Sequence, residues 1–249
     1  MQRSDCQPPT EAEERIVTYQ LAMIGRDGMI LASDRCENLG SATDKSFTKN
    51  MIRKLSIDRG LAWTYSGGDV APIFSSRFGD EIEKIGDRSL QAVMDAIANS
   101  SDRTQREYQP TAKGPWSACL TVVRGESKTI LRNKLSLRTE EMLGGWCVSG
   151  QEFNLATYMP RRFYSKDMSV SELIYIAAYS VRAAHDLDNA VVDGLDIAVY
   201  TDAEAIFRIL PDMEIERLWN EAASADREIL GILKSRALSL PSSRPKSSN

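Results

Sequence analysis

The sequence predicts an α+β fold, two stacked antiparallel sheets with helices on their outer faces, built as one large domain. Three observations predict it. Strand and helix patterns come in blocks, in the order strands, two helices, strands, two helices, strands, helix. The first two strands are joined by the hairpin dipeptide Asp27-Gly28. The chain has 249 residues, 42% hydrophobic and 27% charged, the length and balance of a soluble protein with a sizeable core.

Taken in order, residues 1–14 are polar, with Pro8-Pro9 and an acidic run, and predict a mobile N-terminal arm. The domain spans 15–235, and the Ser/Pro/Lys-rich stretch 236–249 predicts a disordered tail. Residues 16–24 (IVTYQLAMI) read as a strand, with Thr18, Gln20 and Ala22 on one face and Tyr19, Leu21 and Met23 on the other. A hairpin turn at Asp27-Gly28, where glycine tolerates positive φ, leads to a second strand, 29–33. A polar connection, 37–50, separates these from a second pair, 51–58 and 60–67, closed by Ser66-Gly67-Gly68.

The first helix is expected over 70–85, with Pro72 in its first turn and Gly79 as a candidate interruption. A second runs from Asp87, with Leu90, Val93, Met94 and Ile97 on one stripe, and polar residues 99–115 predict a loop. Strands 116–124 and 127–137 form the next hairpin, and 146–150 is a short strand leading to a third helix, 151–163. A capping box, Ser169 with Glu172, opens the fourth helix, whose apolar face is Leu173, Ile176, Ala177, Val181 and Ala184. Residues 194–201 and 205–210 are the last strands. A final amphipathic helix carries Ile215, Leu218, Trp219, Ile229 and Leu230.

Composition narrows the chemistry. A net charge of −4 argues against nucleic acid or an anionic membrane as the partner. Cys6, Cys36, Cys119 and Cys147 lack zinc-site spacing and read as free thiols in a reducing compartment. The N-terminus has no apolar signal stretch, so a cytoplasmic location is expected. The single histidine, His185, lies in a helical stretch and reads as a helix-end residue rather than a catalytic or metal-binding one. No cofactor or metal is expected.

Four segments, in order, resemble proteasome β-type subunits, members of the N-terminal-nucleophile (Ntn) hydrolase superfamily. TYQLAMIGRDGMILASDR (18–35) is similar to the family's opening, with a threonine and an acid, Thr18 and Asp34, at the matching spacing. WTYSGGDVAP (63–72) resembles the strand that ends in a Gly-Gly turn, and CVSG (147–150) the serine-glycine turn near the active site. Residues 168–200 resemble the helix, aspartate loop and strand, and the TYxxAM start is similar to the ancestral bacterial group called Anbu.

The resemblance implies a four-layer α-β-β-α sandwich and a threonine-type peptidase or amidase. In such a site Thr18 is nucleophile and, through its own freed α-amine, base. Asp34 pairs with a tuning lysine, Gly67 supplies the oxyanion amide, and Ser149 and Asp188 orient the amine. An α-amine suits the task because its pKa of about 7.7–8.0 leaves free base at neutral pH. The implied assembly is a homo-oligomer, ring or helical, and the implied substrate a peptide or unfolded protein.

Three departures stand beside the match. Thr18 follows Val17 instead of a glycine, and an amide nitrogen cannot accept a proton. Counting back from the Gly-Gly turn puts Arg53 at the lysine's position, while the apolar pattern puts Met51 there. Lys54 needs a one-residue slip, which would turn its side chain to the opposite sheet face, and Lys49 a longer adjustment. Val191 and Val192 stand where the family has serine and glycine. The alternative reading is a non-catalytic assembly or scaffold protein with a degraded site.

Overall fold

The structure is a computed structural model and describes residues 18–39, 48–67, 70–86, 88–108, 118–134, 139–150, 155–187 and 192–236. The first strand, β1 (Tyr19–Gly25), turns into β2 (Gly28–Ser33). Next come a small hairpin, β3 (Cys36–Leu39) with β4 (Thr48–Met51), and the pair β5 (Leu55–Asp58) and β6 (Leu61–Ser66). Helices α1 (Val70–Lys84) and α2 (Leu90–Tyr108) precede β7 (Ala118–Arg124), β8 (Lys128–Lys134), β9 (Glu140–Glu141) and β10 (Trp146–Gly150). A 3₁₀ turn (Leu155–Thr157), α3 (Tyr158–Phe163) and α4 (Val170–Leu187) follow. The described chain closes with β11 (Asp196–Thr201), β12 (Phe207–Ile209) and α5 (Asp212–Arg236).

One five-stranded sheet has the order β10-β1-β2-β11-β12 and the other β5-β6-β7-β8-β9, with every pairing antiparallel. Strand parity sorts the apolar residues into three layers. Tyr19, Leu21, Met23, Ile197 and Val199 pack against Leu173, Ile176 and Val181 of α4 and Ile215 and Leu218 of α5. The intervening residues Ala22, Met29, Leu31 and Ala198 meet Leu55, Ala62, Val122 and Ile130 of the second sheet. The far side of that sheet, Leu61, Trp63, Val123 and Leu131, is covered by Phe74 and Phe78 of α1 and Val93 and Ile97 of α2. These three interfaces make the four-layer α-β-β-α sandwich. Because β1 is buried on both faces, its near-continuous apolar run carries two different cores.

Local signals account for several element ends. The Ser169–Glu172 capping box forms: the Ser169 amide donates to Glu172 Oε2 at 2.7 Å, and the Glu172 amide to Ser169 Oγ at 3.4 Å. Asp27 Oδ1 adds a second cap by accepting from the Val170 amide at 2.8 Å. Gly28 is needed for a different reason than expected. It is not among the positive-φ glycines, which in the described chain are Gly67, Gly145, Gly150 and Gly194. A Cβ at Gly28 would instead lie 2.1 Å from the Tyr200 carbonyl oxygen, so glycine permits β11 to pair tightly.

Several expectations need correction. The polar connection 37–50 contains the β3–β4 hairpin, in which Cys36 pairs with Met51. The stretch 51–58 is not one strand, because 52–54 lie between β4 and β5. Gly79 does not interrupt α1; a Cβ there would touch the Trp63 ring at 3.4 Å, so close packing on β6 explains it. The expected loop from 99 is helical to Tyr108, held by buried Ser100, Ser101 and Thr104 and by Arg77, which bonds Thr104 and Glu107. The third helix begins as a 3₁₀ turn at Leu155, with 151–154 outside the described residues, as are 1–17 and 237–249. β9 was not foreseen; two exposed glutamates carry no strand pattern.

Candidate active site

Thr18 precedes β1 at the rim of the first sheet, and its side chain faces the layer between the sheets. It is only 4% exposed. Asp34 follows β2, the strand paired with β1, and is fully buried. Its two oxygens are held by the backbone: Oδ1 accepts from the Tyr19 amide and Oδ2 from the Cys36 amide, both at 3.0 Å. The Asp34 amide in turn donates to the Tyr19 carbonyl at 3.2 Å. The carboxylate is thereby fixed one residue from Thr18.

Lys54 completes the cluster. It is 3% exposed, and its ammonium donates to Thr18 Oγ1 at 2.8 Å and to Asp34 Oδ2 at 3.0 Å. Of the candidates Met51, Arg53 and Lys54, only Lys54 reaches Thr18. Met51 is half exposed, and Arg53 turns outward with its Nε 3.4 Å from Asp196. The slip that counted against Lys54 presupposed an unbroken strand. Since 52–54 belong to no ladder, face parity does not bind there, and the ammonium turns inward. The Lys49 side chain lies outside the described residues.

Charge and burial oppose one another at Asp34. Burial pushes its carboxyl up to about 6, against the pull of the Lys54 ammonium and of the two amides. The unfolded carboxyl titrates near 3.8. Asp34 therefore binds more protons when folded, and its contribution to stability is present below about pH 3.8 and lost as pH rises through about 6. The expected result is that the stability difference between wild type and Asp34→Asn narrows from pH 4 to pH 7 in urea unfolding; a widening contradicts this balance.

The remaining candidates surround this cluster. Leu55 pairs with Thr64, so Lys54 and Gly67 leave the second sheet at the same end, the end where Thr18 lies. Gly67 has φ of 121°, a backbone state open to glycine. Ser149 is fully buried on β10, directly across from Gln20. Its neighbour Gly150 has φ of 83°, and a Cβ there would lie 1.9 Å from the Thr18 carbonyl oxygen. Asp188 and Val191 lie outside the described residues, as does Val17. Val192 is fully buried in the core under α4. The structure thus brings together Thr18, Asp34 and Lys54, with Ser149 and Gly67 at the same end of the sandwich.

Two features escaped the sequence reading. Asp196 is buried, and its Oδ1 accepts from Arg35 at 2.7 Å and lies near Arg53, the chain neighbours of Asp34 and Lys54. It ties the two segments that present the cluster. Gln20 donates through Nε2 to Thr64 Oγ1 at 3.2 Å, across the two sheets. A glutamine and an aspartate inside otherwise apolar strands were the available signals. His185 is a helix-end residue whose Nδ1 lies 2.9 Å from the Val192 carbonyl oxygen. Among the described residues no group of three or more His, Cys, Asp or Glu could hold a metal ion. No described helix is long and apolar enough to cross a membrane.

No family model and no curated protein matches the sequence. Solved structures do match. Anbu, an ancestral β-subunit, from Yersinia bercovieri aligns with a TM-score of 0.75 at 13% identity, over 90% of this chain and 99% of its own. The Gly-1 mutant of Anbu from Hyphomicrobium sp. strain MC1 gives 0.70 at 13% identity, over the same shares. The helical assembly of the Anbu complex from Pseudomonas aeruginosa gives 0.66 at 15%, over 91% of this chain and 100% of that one. At such identities the likeness speaks for the fold.

Proposed function

We propose that this chain, which has the proteasome-like Ntn-hydrolase fold of the Anbu proteins, is a subunit that hydrolyses peptide amide bonds with Thr18 as nucleophile. The observation that carries the reading is the buried Lys54 ammonium, bonded to both Thr18 Oγ1 and Asp34. A cation beside the hydroxyl stabilises the alkoxide that attacks a carbonyl, and Asp34 holds that cation in place. Lys54 donates to Thr18, so the Thr18 hydroxyl keeps its own proton to give away. The acceptor is the Thr18 α-amine, which exists only after the bond from Val17 is cut. The amide of Gly67 binds the oxyanion, and Ser149 with Asp188 orients the amine.

The acting form is a homo-oligomer, as a helical assembly exists for the Pseudomonas aeruginosa Anbu complex, and its substrate is a peptide or an unfolded protein. Two observations favour a second reading, a non-catalytic assembly subunit. Val192, where the resemblance expects a glycine, is packed into the core, and Val17 stands before the nucleophile. Thr18→Ala separates the two. Loss of peptide hydrolysis to background with the oligomer intact supports the hydrolase; unchanged hydrolysis, or none in wild type, overturns it.

A further inference from the structure

One row of side chains crosses the first sheet beneath Thr18. Ladder pairing places Ser149, Gln20, Ser33 and Asp196 side by side on β10, β1, β2 and β11. The next row inward, Cys147, Ala22, Leu31 and Ala198, is buried in the apolar layer between the sheets. All four residues of the polar row are fully buried, so each polar atom there needs a protein partner or an ordered water. Gln20 Nε2 donates to Thr64 Oγ1 at 3.2 Å. Its Oε1 is then buried without a partner. Ser33 cannot serve it, since its hydroxyl donates to the Asp34 carbonyl at 3.0 Å. Ser149 can. Its Oγ is likewise buried without a partner, and it sits directly across from Gln20 on the same sheet face.

We infer that Gln20 is a positioning residue: its amide oxygen accepts a hydrogen bond from the Ser149 hydroxyl, directly or through one water, and so turns Ser149 into an acceptor facing Thr18. The proposal rests on the hydrolase reading and adds a direction to it. A Ser149 hydroxyl that donated to the α-amine would occupy the lone pair the reaction needs. Committed to Gln20, that hydroxyl offers only lone pairs, which accept an amine N–H and leave the nitrogen lone pair free for the Thr18 proton. An acceptor beside an ammonium also favours the charged form, so the bridge holds the amine's pKa up. Thr64, on the opposite sheet, accepts from the Gln20 amide nitrogen and so leaves Oε1 free for Ser149.

The test uses the full chain in two measurements. In urea unfolding, Gln20→Met and Ser149→Ala are expected to be coupled, the double variant losing less than the two single losses combined. In peptide hydrolysis, Gln20→Met is expected to lower kcat about tenfold with KM unchanged and to move the acid limb of kcat/KM down by about half a pH unit or more. Thr64→Val, which frees the amide to flip but keeps the shape, shifts the limb the same way and serves if Gln20→Met does not fold. Additive stabilities overturn the bridge whether or not the protein is active. Coupled stabilities with an unmoved acid limb overturn the positioning role. Coupled stabilities in an inactive wild type overturn the amine step along with the hydrolase reading, leaving only the bridge.

Discussion

Replacing Lys54 by methionine is expected to lower the unfolding free energy by about 3–5 kcal/mol at pH 8, because it strands a buried carboxylate without its counter-charge. The Asp34 side chain is fully buried and has two amides and one ammonium as partners. Methionine fills the lysine's volume, so a cavity does not explain the loss. The stranded carboxylate takes up a proton more readily, which makes the deficit smaller at pH 5 than at pH 8. Combining Lys54→Met with Asp34→Asn removes the unpaired charge, so the double variant loses less than the two single losses combined. Urea unfolding of the four proteins at both pH values checks this. A Lys54→Met protein as stable as wild type at pH 8 contradicts the described cluster.

Gly150→Ala is the second large effect, and it acts through backbone rather than charge. A Cβ at this position would fall 1.9 Å from the Thr18 carbonyl oxygen and 2.8 Å from its carbonyl carbon. Both atoms are backbone, so no side chain can swing away. The φ of 83° adds strain for any residue with a Cβ. Strain and overpacking together are expected to cost roughly 2–6 kcal/mol. The chain relieves the clash by moving either the end of β10 or Thr18, and the second movement breaks the bond from Lys54. Thermal unfolding reads the stability, and hydrolysis of a peptide reads the displacement. A variant with wild-type melting and activity contradicts the close approach of Gly150 to Thr18.

Much of the architecture was legible because strand parity and helical stripes are set by burial. β1 carried two alternating sets, Tyr19, Leu21 and Met23 against Thr18, Gln20 and Ala22, and these became two faces of one sheet. The capping box at Ser169 placed the start of α4 to the residue. What failed lacked a periodic apolar signal. The second half of α2 packs through serine and threonine, whose small polar side chains read as loop composition. The β3–β4 hairpin pairs mostly polar residues, so hydrophobic alternation was silent there.

The site was legible in part for the same reasons. Thr18 and Asp34 sit in or beside strands whose register the spacing preserves, so counting residues located them. Lys54 lies between strands, where counting loses its meaning, and only the fold decides where its ammonium goes. Gln20 and Asp196 were hidden for another reason. Each is a single polar residue in an apolar run, and what gives it a role is the neighbouring strand, which no local pattern reveals.

The reading as a hydrolase rests on one freed nitrogen, and intact mass of the purified full-length protein tests it most directly. The expected result is a species beginning at Thr18, lacking residues 1–17, that hydrolyses a peptide and is absent from Thr18→Ala. A single mass retaining those residues, with the oligomer assembled and no hydrolysis, contradicts it.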